Sequence, residues 1–213
     1  MKKPRVILAD DHKIVLEGLK SLLGDEFEVV ASVGDGRALV EQAAVLHPDV
    51  IVADVSMPQL NGIEAARRIK KTDKTVKIVF LTMHLDATYA EDAFEAGASG
   101  FVLKHAAPSE LVTAIREALK GRTYVTPLIA GDLIRAFREG GSPEKEGLRK
   151  TSPREREILQ LLAEGRSGKE IAAILSISPR TVEFHKYRMM EKLHIKSNAE
   201  LVQYAVKHGI ISL

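Results

Sequence analysis

The chain has 213 residues, enough for one large or two modest domains, with 45% hydrophobic and 28% charged residues, the balance of a globular protein. It has no cysteine, which excludes a disulfide scaffold, a zinc finger and a thiol nucleophile, and no apolar run of about 18 residues to form a transmembrane helix. Its net charge of +2 hides an asymmetry: residues 1–146 hold 19 basic and 22 acidic side chains, and residues 147–213 hold 12 and 7.

The basic start, Met1 to Arg5, is followed by an apolar run that stops at Asp10. That run is too short for a secretory signal, so a cytoplasmic location is expected. Strand and helix then alternate. Residues 5–9 read as a strand and 14–23 as a helix. Residues 27–33, 50–53, 76–81 and 100–103 read as further strands. Residues 37–46, 63–71, 88–96 and 108–120 read as the helices between and after them. The strands are short and rich in Val and Ile, as in a parallel sheet covered on both faces. Five βα units predict a doubly wound, flavodoxin-like α/β domain over residues 1–121, with its site at the carboxyl ends of the strands.

Residues 126–138 predict one more helix. "REGGSPEKEG", residues 138–147, has no apolar residue and reads as a linker, so that 122–147 form a connecting segment. From 148 to 213 the pattern is helical only. "SPREREILQLLAEG" opens with Ser152 as N-cap, Pro153 at the first position and Glu155 closing a capping box. "SGKEIAAIL" repeats the device with Ser167 and Glu170. "SPRTVEFHKYRMMEKL" opens on Ser178 and Pro179, and "NAELVQYAVKHG" ends at Gly209. The tight connection between the second and third of these helices fits helix-turn-helix geometry.

Asp10 and Asp11 fall at the end of the first strand and Asp54 at the end of the third. Thr82 ends the fourth, and Lys104 follows the fifth. The topology brings these ends to one edge of the sheet. Three carboxylates at close range cannot all ionise cheaply, and a divalent cation with oxygen ligands, Mg2+ or Mn2+, relieves the repulsion. Thr82 and Lys104 can hold the remaining oxygens of a phosphate. The chemistry this predicts is phosphoryl transfer to a carboxylate. A lone Asp-Asp is usually only a loop start or helix N-cap; five such residues on matching strand ends are far harder to obtain by chance.

Residues 5–121 resemble the receiver domain of two-component response regulators, through "ADDH", "DVIVADVSMPQLNG", "VFLTMH" and "GASGFVLKHA" in that order. The resemblance implies Asp54 as phosphoacceptor. It implies Asp11, Asp54 and the Ser56 carbonyl as Mg2+ ligands, with Asp10 acting through water. It implies Lys104 as the phosphoryl-binding cation, Thr82 as the hydroxyl that moves to it, and Phe101 as the aromatic that follows inward. Pro58 and Gly62 shape the adjacent loop. Ser56 and His84 stand where the family tunes hydrolysis of the acyl phosphate. A haloacid-dehalogenase-type phosphatase needs a second acid two residues after its Asp; Ser56 stands there, so enzymatic turnover is not expected.

The C-terminal part resembles the LuxR-type helix-turn-helix, through "SPREREIL", "GKEIA", "SPRTVEFH" and "EKL". Together the two parts resemble the NarL/FixJ class of response regulators. On the third helix of this unit, Val182, Met189 and Leu193 are expected to face the core. Arg180, Glu183, Phe184, Tyr187 and Arg188 lie opposite, on the face that enters the major groove. Arg180, Thr181, Lys186 and Arg188 suit phosphates, Glu183 a cytosine amino group and Phe184 a thymine methyl. His185 reads as structural or phosphate-contacting. Leu201, Val202, Ala205 and Val206 form an apolar stripe that either packs internally or, as the resemblance implies, makes a dimer contact.

The implied function is a DNA-binding transcriptional regulator. A sensor histidine kinase phosphorylates Asp54, and the chain then pairs into a homodimer on double-stranded operator DNA. No membrane partner is expected, and no small-molecule substrate beyond phosphodonors. The rivals are a regulator that acts without phosphorylation, an aspartyl-phosphate phosphotransferase enzyme and a purely protein-binding output.

Overall fold

The computed structural model describes residues 2–106, 108–138 and 151–211. Most of the expected linker, residues 139–147, lies outside the described residues. The chain divides into two compact units, Met1–Gly141 and Ser142–Leu213. No helix among the described residues is long and apolar enough to cross a membrane.

In the first unit the elements run β1 (Arg5–Ala9), α1 (Lys13–Leu23), β2 (Glu28–Val33), α2 (Gly36–Leu46), β3 (Val50–Ala53) and α3 (Gly62–Thr72). They continue β4 (Lys77–Thr82), α4 (Ala87–Glu95), β5 (Gly100–Leu103), α5 (Pro108–Leu119), β6 (Tyr124–Val125) and α6 (Pro127–Arg138). The sheet is parallel, in the order β2-β1-β3-β4-β5-β6. The chain reverses direction across the sheet between β1 and β3, which opens a crevice beyond their carboxyl ends.

Period-two alternation sorts the strand residues to two faces. Ile7, Ala9, Ile51, Ala53, Ile78, Phe80, Phe101 and Leu103 pack under α2, α3, α4 and α6. Val6, Leu8, Val50, Val52, Val79, Leu81 and Val102 pack under α1 and α5. Each side of the sheet thus has a dry core, and each fully buried Leu, Ile or Phe adds roughly 2 kcal/mol.

The sheet has six strands rather than the five expected. β6 has two residues, too few for any periodicity, yet Gly100 and Phe101 pair with Tyr124 and Val125. Thr126 secures the joint, since its hydroxyl accepts from the Leu103 amide at 3.2 Å and donates to Glu110 at 2.6 Å. α6 then turns back over the sheet and buries Ile129 and Leu133 in the core that holds Phe101.

The second unit has four helices, α7 (Pro153–Ala163), α8 (Gly168–Leu175), α9 (Pro179–Leu193) and α10 (Asn198–Lys207). Both expected capping boxes form, Ser152 with Glu155 and Ser167 with Glu170. Ser178 caps α9 by accepting from the Thr181 amide at 3.1 Å. α8 ends at Ser176 in the left-handed region, and two further residues lead directly into α9, the short turn of a helix-turn-helix. Ile158, Leu161, Ile171, Leu175, Val182, Met189, Leu201 and Ala205 lie in the core.

Candidate acidic pocket and nucleic-acid face

β1 and β3 lead directly into Asp10 and Asp54, which are 2% and 6% exposed. Thr82 closes β4, wholly buried, and Lys104 follows β5. The Lys104 ammonium donates to Asp10 at 2.6 Å and to Asp54 at 2.7 Å, both at the Oδ2 atoms. Asp11 stands at the rim, more exposed, beside the His12 ring nitrogen at 2.8 Å. Asp10, Asp11 and His12 each bring one ligand atom within 4.8 Å of the others.

Burial pushes the Asp54 carboxyl above its ordinary value; Lys104 opposes this, and Asp10 adds to it. Burial works against the charge on Lys104 as well, but the hydrogen bonds and charges of Asp10 and Asp54 more than offset it and hold the ammonium above its ordinary value. Two buried carboxylates face one ammonium and Asp11 adds a third at the rim, so the pocket is acidic. Its donors are hard oxygens, the set that Mg2+ or Mn2+ takes, and the residues present fit such an ion.

Thr82 accepts from the His84 backbone amide at 3.3 Å, which leaves its own proton free to donate. The Ser56 hydroxyl and His84 Nε2 are 2.8 Å apart, and the His84 ring stacks on Tyr89 at 4.0 Å. Burial pushes the His84 imidazole below its ordinary value. Sequence reasoning missed Tyr89: it lies five residues beyond His84, around the start of α4, and no local pattern marks it. Phe101 is fully buried, in the core that also holds residues of α3, α4 and α6.

On α9, Val182 and Met189 are buried as expected, whereas Leu193 is only partly buried. Residues 182, 186, 189 and 193 share one helix face. Lys186 therefore sits toward the inner edge, its side chain 14% exposed and its ammonium 3.3 Å from Glu183. Arg180, Phe184, Tyr187 and Arg188 form the exposed ridge. Thr181 is half-buried, its hydroxyl 2.8 Å from that of Ser178. On α10, Leu201 and Ala205 are buried in the unit's own core, the internal packing that is one of the two readings of the stripe; Val202 and Val206 stay half-exposed.

Glu155 was read from sequence only as a cap. It is wholly buried, and both its oxygens accept from Lys192, at 2.9 and 3.0 Å. Burial disfavours its charge, but the Ser152 amide and Lys192 more than compensate and hold its carboxyl below the ordinary value. Its contribution to stability is therefore complete above the unfolded-state value of 4.5 and is lost as pH falls through the lower folded-state value. Gln still serves a capping box, so Glu155→Gln isolates the charge. It is expected to destabilise this unit by about 2 kcal/mol at neutral pH, and the loss should vanish in acid. Thermal unfolding of the full chain by circular dichroism across pH checks this; a pH-independent difference would contradict it.

Residues 6–116 match the response regulator receiver domain, and residues 150–205 match the luxR family of bacterial regulatory proteins. The oxygen regulatory protein NreC of Staphylococcus carnosus is 36% identical, over 97% of this chain and 99% of its own length. The response regulator UvrY of Escherichia coli is 35% identical, over 96% of this chain and 94% of its own. Among solved structures, RcsB of Salmonella enterica serovar Typhimurium, bound to a promoter with the phosphomimetic BeF3−, aligns with a TM-score of 0.63 and 31% identity, covering 95% of this chain and 98% of that one. A structure of two RcsB dimers bound to two parallel DNAs aligns with a TM-score of 0.60 and 30% identity, over 97% of this chain and 99% of that one.

Proposed function

The chain belongs to the two-component response regulators that join a receiver domain to a LuxR-type DNA-binding domain, and on that premise we propose that a phosphoryl group on Asp54 sets how tightly the C-terminal unit holds its operator. The observation that carries this is the Lys104 ammonium, bridging the buried carboxylates of Asp10 and Asp54 at the carboxyl edge of the sheet.

The donor is a phosphohistidine of a sensor kinase, or a small acyl phosphate. Asp54 Oδ2 is engaged by Lys104, whereas Oδ1 has only a long contact of 3.4 Å from the Ser56 amide. Oδ1 is the nucleophile. It forms the new bond to phosphorus as the phosphorus–nitrogen bond to the donor imidazole breaks, and the electron pair leaves with the imidazole. Asp11, Asp54 and the Ser56 carbonyl, with Asp10 through water, would hold Mg2+ or Mn2+, which would supply charge neutralisation to the phosphoryl oxygens. Lys104 exchanges its Asp54 partner for a phosphoryl oxygen, since the esterified carboxyl no longer carries its charge. The Thr82 hydroxyl donates to another, drawing the His84 loop with it.

The outcome is a population shift. The shifted receiver pairs with a second copy, and the two C-terminal units then meet two operator half-sites. RcsB, a relative, is seen as dimers on DNA. Ser56 cannot act as a general acid, so Asp54 holds the phosphoryl group as a signal. A regulator that takes its phosphoryl group from a sensor kinase and binds chromosomal DNA would work in the bacterial cytoplasm.

A gel shift on duplexes selected from a random pool tests the reading. Acetyl phosphate with Mg2+ is expected to tighten binding by the native chain and to leave Asp54→Asn unaffected; equal behaviour of the two would overturn it. Affinity is expected to fall steeply with salt, with a log–log slope of about −0.9 per phosphate neutralised. Arg180→Ala should flatten that slope by roughly one unit per protomer.

A further inference from the structure

We propose that α9 reads its operator through an aromatic pair, Phe184 and Tyr187, set against thymine methyl groups, with Arg180 and Arg188 on the flanking phosphates. This rests on the DNA-binding reading above and gives it a sequence preference.

The charged side chains nearest the ridge are engaged within the protein. Glu183 is 3.3 Å from the Lys186 ammonium. Its Oε1 atom also lies beside Gly168, the first residue of α8, 3.4 Å from where a Cβ on that glycine would stand. The amino end of a helix attracts a carboxylate. Glu183 is thus neutralised from two sides and has little cause to accept from a cytosine amino group. Lys186 is turned inward, its ammonium 5.4 Å from the centre of the Tyr187 ring. Arg188, 3.7 Å from Glu155, keeps 53% of its side chain exposed at the edge of the ridge.

Two large rings then project from the middle of the face. Phe184 is 60% exposed and Tyr187 is 63% exposed. They sit at i and i+3, where side chains are neighbours about 5–6 Å apart. The rise between base pairs is about 3.4 Å, so the two rings span adjacent or next-adjacent pairs. In the major groove the thymine C5-methyl is the apolar group on offer. The faces of the two rings gain from burying methyls, which a G·C pair does not offer. The cations at the two ends of the ridge, Arg180 and Arg188, are placed to straddle the groove and hold its phosphates.

Uracil provides the test, because it removes the methyl and leaves the base pair intact. The full chain with acetyl phosphate and Mg2+ is used to select duplexes from a random pool. The tightest duplex is then remade with uracil at each thymine in turn. Two positions in each half-site, adjacent or one apart, are expected to lose about fourfold in affinity per methyl removed. Phe184→Ala is expected to abolish the uracil effect at one position and Tyr187→Ala at the other. Both side chains are exposed, so both variants should keep the native melting temperature. Equal binding of thymine and uracil duplexes would overturn the proposal, as would variants that keep the uracil effect. A change of oligomeric state in Phe184→Ala without change in sequence preference would assign the face to a protein partner instead. If no duplex is selected at all, the DNA-binding reading itself fails, a result distinct from selected duplexes that ignore the methyl.

Discussion

Asp54→Asn is expected to take up no phosphoryl group from acetyl phosphate, as read by mass spectrometry of the intact chain. An amide keeps the shape of the side chain but has no anionic oxygen to attack phosphorus. Lys104 retains its bond to Asp10, 2.6 Å long, so the pocket keeps a charged pair across it. The loss should come without unfolding. Burial raises the Asp54 pKa, Lys104 only partly opposing and Asp10 reinforcing it. A carboxyl whose folded-state value lies above its unfolded value costs stability when ionised at neutral pH, and the cost is relieved as pH falls through the raised value. In chelator, the Asn variant should therefore melt at or above the native temperature at neutral pH. Functional sites are commonly held at such an expense. Undiminished phosphorylation of the variant, or its transfer to Asp10 or Asp11, would refute the assignment of the acceptor.

Gly62→Ala should show the opposite signature, loss of both stability and phosphorylation. Gly62 opens α3, and its amide donates to the Val55 carbonyl at 2.8 Å. A Cβ there would lie 2.0 Å from the backbone oxygen of Asp54 and 3.1 Å from the Phe80 ring. Backbone cannot yield as a flexible side-chain tip can. The expected cost is about 3 kcal/mol, the upper end for overpacking, or roughly 10 °C in the melting temperature of the receiver. Movement of the Asp54 carbonyl displaces the acceptor carboxylate, so acetyl phosphate uptake should fall as well. Gly18→Ala is the control. It lies in α1 with nothing within 4 Å of the new Cβ, and it should stabilise by about 0.5–1 kcal/mol. A Gly62→Ala chain that melts and phosphorylates like the native one would mean that this close approach is not obligatory.

The parts of the molecule that were legible in the sequence rest on short-range physics. The capping boxes at Ser152 and Ser167 involve residues three apart, and both form. Strand ends are marked where apolar runs meet polar residues, so Asp10, Asp54 and Thr82 could be placed on one edge once the doubly wound topology was inferred. The reading faltered where the partner is distant or the element short. β6 is two residues long and exists because β5 offers it an open edge. Phe101 shares its core with Ile129 and Leu133 of α6, a packing that the helix's own pattern does not reveal. Lys186 reads as DNA-facing because it is charged; on the helix wheel it flanks Val182 at the edge of the buried face, and its ammonium lies 3.3 Å from Glu183.

The sequence by itself therefore determined the two-unit plan, the order of strands and helices, and the chemical character of each site. Hydrophobic periodicity, capping and side-chain identity act within a few residues along the chain. Only the tertiary structure decided which charges are spent on one another. The bridge from Lys104 to Asp10 and Asp54, the pairing of Glu155 with Lys192 and the burial of Leu201 and Ala205 all join residues far apart in sequence. Those contacts depend on how helices pack across a core, and that is settled by the shape and volume of all their side chains together.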